Sequence, residues 1–395
     1  MKITYGKNVY NNQEIKAVVK QLKKTTQMGR SVYNFEKKIS KFFKKKYGLM
    51  VNSGSSALTL AMRTLNIKNG DEIITPCLNF GTAVSSILLA GAKPIFIDID
   101  LNTLQIDSNL IEKRITKKTK ALLLPNLIGN IPNLKKIYKL SKKYNLKIIE
   151  DSADTLGATI DGKPTGIYSS ISITSFYGSH VISCAGNGGM FMTNSKSVYE
   201  KAKLLRSWGR MSTLVKDSEN IKKRLKIKLT NFDYDKKFVF SEVGYNFEPS
   251  ELGASFGLVQ LKKFNLFSKI RIKNFKNHLN FFSNYKEYFI TPKILNGVKT
   301  NFLAYPIIIK ENKKFNRKQL QIYLENNNIQ TRPIFSGNIL RHPAFKSLIS
   351  NQNKLNTFPK SDYIMKNGLL IGCHQGLNNK NLNYIHDKIK FFLES

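Results

Sequence analysis

The sequence predicts an α/β fold: one large domain on a mainly parallel central sheet, followed by a smaller α+β carboxy-terminal domain. Three observations carry this. From Leu49 onward, short β-rich runs alternate with helical windows, the rhythm of βαβ units. The chain has 395 residues, long for a single hydrophobic core. Its acidic, hydroxyl-rich and glycine-rich clusters fall directly after strand candidates, and open α/β sheets bind ligands beyond the carboxyl ends of their strands.

Taken in order, residues 13–24 and 32–45 have the spacing of amphipathic helices. Val18, Val19 and Leu22 mark the apolar face of the first, and Phe35, Ile39, Phe42 and Phe43 that of the second. A polar break, 25–30, separates them. Strands are expected at 49–52, 72–75, 94–99, 121–125, 147–150, 171–176 and 189–193. The polar, Lys-rich segment 213–237 has no clear period and reads as a long surface loop. Helix is expected through 253–288, which contains no Pro, then a strand at 302–309, a helix at 317–326, a strand at 329–333 and a terminal helix at 380–393. The expected division is an amino-terminal arm, 1–30, packing on the small domain, a large domain, 31–255, and the small domain, 256–395.

Composition narrows the function classes. The formal charge is +38, from 64 Lys and Arg against 26 Asp and Glu, but the excess is spread through Lys-rich segments and reads as a solvated surface. No nucleic-acid groove is expected, although a basic field favours an anionic substrate. No run reaches the roughly 18 apolar residues that span a bilayer, and the amino terminus has no apolar signal core, so a cytoplasmic protein without membrane contact is expected. Cys77, Cys184 and Cys373 are far apart and form no C-x-x-C pair, which argues against a disulfide framework or a metal site built on thiolates.

Four places invite chemistry. Asn52-Ser53-Gly54-Ser55-Ser56 follows a strand and opens a helix; it is either an ordinary cap or an anion site, to which Ser175 could add a hydroxyl. Glu150-Asp151 ends an apolar strand, where an acid either caps the next helix or pairs with a ligand cation. Phe80 follows the second strand, as core or as a stacking platform. Ser175-Phe176-Tyr177-Gly178-Ser179-His180 places an imidazole after a strand end and before the small-residue run Ser183–Gly189. Among the other histidines, His278 and His386 lie in Lys- and Asn-rich helical windows and are expected at the surface. His342 and His374 sit in expected loops, and Arg332 and Arg341 are candidate contacts to a diphosphate or carboxylate, since a guanidinium binds both bidentately.

These stretches occur in a familiar order. Val51-Asn52-Ser53-Gly54-Ser55-Ser56-Ala57-Leu58, Gly70-Asp71-Glu72-Ile73-Ile74-Thr75-Pro76, Ala90-Gly91-Ala92-Lys93-Pro94, Glu150-Asp151-Ser152-Ala153-Asp154 and Gly244-Tyr245-Asn246-Phe247 together resemble the sugar aminotransferase family, whose members are fold type I pyridoxal-phosphate enzymes acting on nucleotide-linked keto-sugars. The resemblance covers nearly the whole chain. It implies that Gly54, Ser55, Ser56 and Ser175 bind phosphate, that Asp151 pairs with the cofactor's pyridinium, and that Phe80 stacks on its ring. It also implies that Asn246 reaches the neighbouring subunit's cofactor, which makes the active unit a homodimer with shared sites.

One departure is decisive for the chemistry. Aminotransferases of the family read Ser-Phe-His-x-x-Lys where this chain reads Ser175 to His180, and an imidazole cannot form the Schiff base that the lysine makes. The chain resembles instead the branch of nucleotide-diphospho-4-keto-6-deoxyhexose 3-dehydratases, which use pyridoxamine phosphate. Asp154, which the resemblance implies is a cofactor-binding residue, the Thr331-Arg332-Pro333-Ile334-Phe335-Ser336-Gly337-Asn338 segment and Gly372-Cys373-His374 resemble that branch as well. The implied reaction is loss of the sugar's C3 hydroxyl with His180 as base, the substrate contacts coming from Arg332, Asn338, Arg341, His342 and His374. One subtype carries an iron–sulfur cluster on cysteines between the His loop and the Gly-Tyr-Asn motif. This chain has none there, so no cluster is expected, and glutamate would restore the amine. The 213–237 insertion and the Trp208-Gly209-Arg210 before it resemble the cluster-bearing subtype more, while Asn187 and an additional residue in the glycine run after His180 depart from both. Rival readings are an aminotransferase without a lysine anchor and a non-catalytic cofactor-binding regulator.

Overall fold

The computed structural model describes residues 2–215, 217–349 and 358–395; Lys216, within the 213–237 segment, lies outside these. The first five strand candidates form β1 (Tyr47–Val51), β2 (Glu72–Pro76), β3 (Lys93–Ile97), β4 (Thr119–Pro125) and β5 (Lys147–Asp151). With Ile171–Ser175 and Gly189–Thr193 they make a seven-stranded sheet ordered β1, Gly189–Thr193, Ile171–Ser175, β5, β4, β2, β3. Pairing is parallel from β3 to Ile171–Ser175, and only Gly189–Thr193 runs against its neighbours. The sheet is therefore mainly parallel, as the alternation of elements predicts.

Both faces of this sheet are covered, which is why its strands are near-continuous apolar runs rather than alternating ones. Leu123, Ile149, Ile171 and Ile173 pack on one side with α3 (Gly54–Thr64), and Leu122, Leu124 and Ile148 on the other with Ile137. Each such fully buried aliphatic side chain contributes about 1.5–3 kcal/mol. β5 and Ile171–Ser175 are neighbours and β1 runs the same way one strand further on, across Gly189–Thr193, so the turns that follow the three share one edge of the sheet.

The amino-terminal region divides. Ile3 exchanges backbone bonds with Asn328 and Gln330 and joins the core of Phe275, Tyr305 and Ile371. Helix α1 (Asn12–Leu22) lies along Glu251–Lys262, where buried Glu14 accepts from Lys263 Nζ and Gln260 Nε2, each at 2.7 Å. Helix α2 (Arg30–Phe42) starts at a glycine cap that offers no side chain. Its open N–H groups are met by Glu251, only 1% exposed, which accepts from Gly29 (2.9 Å), Ser31 (2.6 Å) and Val32 (3.1 Å). Glu251→Ala would orphan these donors and is expected to lower the unfolding free energy by about 3 kcal/mol. A urea midpoint unchanged from the parent would show that water replaces the carboxylate.

Several expectations need correction. The helix through 253–288 is two helices, Glu251–Lys262 and Phe264–Phe282, turning at Lys263 without a Pro. The 213–237 segment is not plain loop: it holds a short helix, Ile221–Arg224, and a hairpin of Ile227–Leu229 with Phe232–Tyr234. The 329–333 stretch makes only single bridges, at Ile329 and Arg332, since Pro333 has no N–H to extend the ladder. The strand pairing with Ala304–Ile309 is Gly368–Gly372, unread in the sequence because it is short and follows a helix directly. His278 is fully buried, facing His386 at 2.9 Å and the Gly372 carbonyl at 3.1 Å, while the exposed positions around it in sequence are Lys273, Lys276 and Asn280.

Candidate active site

A cavity of about 920 Å³ opens at the shared carboxyl edge of the sheet. It is lined by Gly54, Ser55, Phe80, Asp151, Asp154, Ser175, His180, Arg332 and His342, which brings together most of the residues singled out in the sequence. Asn338, Arg341, His374, Ser56 and Asn246 are not among the lining residues.

At one end, Ser53 caps α3, accepting from Ser56 N–H at 3.1 Å, so the first helical N–H groups and the Ser55 and Ser175 hydroxyls face the cavity. Close approach explains Gly54: a Cβ there would come within 2.9 Å of Ser175 Cβ. The Ser56 hydroxyl is committed within the turn, donating to Asn52 Oδ1 at 2.6 Å.

At the other end, the β5 strand runs into the protein and delivers Asp151. One of its oxygens accepts from Ala153 N–H at 3.0 Å; the other has no hydrogen-bond partner among the described residues. Burial pushes this carboxyl up to about 6, partly opposed by that N–H. Asp154 is also driven up, to about 7, by burial. One of its oxygens accepts from Ile128 N–H at 2.9 Å, holding a β-branched residue at a φ of 62°. Phe80, more than half exposed, begins the next helix and stands edge-to-face with Phe335, presenting a flat ring to the cavity.

His180 sits on the loop after Ile171–Ser175. Its Nδ1 is 3.3 Å from the Ser175 carbonyl, which can only accept, so Nδ1 carries the proton and Nε2 is the basic nitrogen. Burial lowers its pKa to about 4, the nearby Arg271 guanidinium adding to the effect, so the ring is neutral at pH 7. Tyr177 stands edge-on to it, 5.9 Å between ring centres.

The remaining candidates have other partners. Asn338 is buried between Cys77, whose thiol donates to its Oδ1 at 2.8 Å, and Asp362, to which it donates at 2.8 Å. Arg341 forks onto both oxygens of Asp362 at 2.8 and 2.5 Å. His374 faces the Thr4 carbonyl at 3.0 Å and accepts from Gly376 N–H at 3.1 Å. His342 donates from Nε2 to Ser336 O at 2.7 Å. Asn246 is exposed, bridged to Ser207, next to Phe247, whose carbonyl accepts from Asn52 N–H at 3.0 Å. Tyr5 is a lining residue that sequence reasoning missed; it comes from the arm, with the Arg332 guanidinium 6.0 Å over its ring. No local motif marks it.

The donor set fits a flat, phosphorylated pyridine cofactor. The anion cradle, the half-free carboxylate and the exposed ring are separated by a cavity with room for it, and among the described residues no lysine lines that cavity. Among the described residues, no three His, Cys, Asp or Glu side chains gather as a metal site, and no helix is long and apolar enough to cross a membrane.

Comparison with known proteins agrees with this geometry. The lipopolysaccharide biosynthesis protein RfbH of Salmonella typhimurium is 32% identical over 369 residues, covering 91% of this chain and 84% of that protein. The GDP-4-keto-6-deoxy-D-mannose 3-dehydratase of Escherichia coli O55:H7 is 30% identical over 393 residues, 97% of this chain and 98% of that one. A crystal structure of GDP-4-keto-6-deoxymannose-3-dehydratase with a trapped PLP-glutamate geminal diamine superposes with a TM-score of 0.87 at 28% identity, covering 98% of this chain and 99% of that one. Residues 8–390 match a single family description, and the chain belongs to the DegT/DnrJ/EryC1/StrS aminotransferase family.

Proposed function

We propose that the protein is a pyridoxamine-phosphate-dependent lyase that removes the C3 hydroxyl of a nucleotide-diphospho-4-keto-6-deoxyhexose. The observation that carries this is His180 at the cavity wall, in the sequence place of the family's lysine, with no lysine among the described lining residues. None of the described lining residues offers an amine to anchor the cofactor covalently. When bound, the cofactor supplies an amine for the sugar's C4 ketone and a protonated ring that draws electrons.

The chain's residues supply the rest. The α3 terminus with Gly54, Ser55 and Ser175 holds the phosphate, Asp151 faces the ring nitrogen, and Phe80 covers the ring. Asp154 serves the site by holding the Ile128 turn beneath it. His180 Nε2, neutral at pH 7, accepts a proton and passes one to the departing C3 hydroxyl, which leaves as water. Arg332 and His342 face the substrate end, where the diphosphate charge is met by a guanidinium. Asn246, exposed outside its own cavity, suits a homodimer in which it reaches the partner's cofactor. Glutamate is the amino donor that returns the cofactor to its amine form.

Incubation with GDP-4-keto-6-deoxymannose and its CDP and dTDP counterparts, with and without glutamate, tests this. The expected product has lost one water and carries no nitrogen. An amino sugar as the only product would overturn the dehydratase reading in favour of amine transfer.

A further inference from the structure

Among the described residues Arg271 is the largest fully buried side chain, and no acidic group pairs with it. Its guanidinium is satisfied by neutral oxygens alone. Nε donates to Gln375 Oε1 at 2.6 Å, Nη1 to the carbonyls of Phe302 (2.9 Å) and Leu303 (3.1 Å), and Nη2 to the His180 carbonyl at 3.3 Å. Gln375 in turn donates from Nε2 to the Val181 carbonyl at 3.4 Å. One arginine and one glutamine on Phe264–Phe282 and the 375 turn thus grip two consecutive carbonyls of the His180 loop.

A buried, unbalanced charge is costly and persists only where something else requires it. A structural tie between four chain segments could be made by neutral amides. What a neutral group could not supply is a fixed positive charge behind the imidazole.

We propose that Arg271 is a positioning residue for His180: its fork sets the place of the ring, and its uncompensated charge disfavours the imidazolium. A proton taken by Nε2 is then passed on to the leaving hydroxyl rather than retained. The inference rests on His180 handling protons in the proposed reaction. Other titratable or charged groups face the same space: Tyr177 on the loop itself, Tyr5 from the arm, Asp151 and Asp154 after β5, and Arg332 opposite. The Arg271 charge opposes protonation of His180 in the same direction as burial. It also lowers His374 on its other side.

The test is an NMR titration of Cε1-labelled histidines in the full-length chain, with and without pyridoxal phosphate, the His180 signal being assigned by its loss in His180→Asn. Gln375→Glu places a carboxylate against Arg271 Nε and cancels its charge without removing the fork. The expected result is a His180 midpoint raised by about one unit, a tenfold gain in proton affinity. Arg271→Lys keeps the charge and loses the fork; it should keep the low midpoint while kcat falls about tenfold and KM holds. Folded Gln375→Glu and Arg271→Met proteins with an unchanged His180 midpoint would overturn the proposal. The titration needs no substrate, so its outcome is independent of whether dehydration takes place.

Discussion

His180→Asn is expected to reduce dehydration by about 10²–10⁴-fold, the range a positioned acid–base group supplies, while leaving cofactor binding in place. Asparagine retains a donor that can reach the Ser175 carbonyl, now 3.3 Å from Nδ1, so the loop keeps its local bond and only the basic Nε2 is lost. Among the described residues the cavity has no lysine to substitute, and His342, its other lining histidine, is tied to Ser336 O. His180→Lys separates the roles further. It places an amine on the same loop, and pyridoxal phosphate should then be retained covalently after borohydride reduction, with the mass of one pyridoxyl group added to the chain. The parent protein should show no such adduct. Borohydride-stable cofactor on the parent, or full deoxygenation by His180→Asn, would each remove His180 from the proton path.

What the sequence disclosed of this site follows from how locally each residue is determined. Gly54, Ser55 and Asp151 sit one step past strands whose apolar runs are unmistakable, so position at a strand end is legible from neighbours alone. His180 is legible for the same reason. Tyr5 and Arg271 are not, because each reaches the site from a distant segment: Tyr5 through the Ile3–Asn328 and Ile3–Gln330 bonds, Arg271 from the interior of an otherwise ordinary helix. Arg341 and Asn338 show the converse. Their residue types suit an anionic substrate, but Asp362 faces them from the helix Pro359–Asn367 and takes up both. Nothing in the local pattern of 331–342 announces that partner. The histidine pair fails similarly: His278 lies among lysines in sequence, yet the helix turns it toward Gly372 and Tyr305.

Asp151→Asn should be nearly as damaging as loss of His180, by a different route and with a distinct pH signature. The carboxylate faces the place where a protonated ring nitrogen would sit. Removing one partner of a buried charge pair costs about 3–5 kcal/mol, which is about two to four orders of magnitude in cofactor affinity. In the ligand-free protein burial has raised Asp151 to about 6, so it is mostly ionised at pH 7.5 and mostly protonated at pH 5. Binding a ring-protonated cofactor requires the carboxylate, so below about pH 6 that proton must first be expelled. Affinity for pyridoxamine phosphate is therefore expected to fall as the pH drops through 6, approaching tenfold per unit, and to be flat above it. In Asp151→Asn the weak residual binding should lose this dependence. Asp154, raised to about 7, titrates nearby, and the Asp154→Asn protein separates the two, since its amide can still face Ile128 N–H. Calorimetric titration of the cofactor at pH 5, 6, 7 and 8 reads all three proteins. An Asp151→Asn protein that binds as tightly as its parent, with the same pH profile, would place the ring nitrogen elsewhere in the cavity.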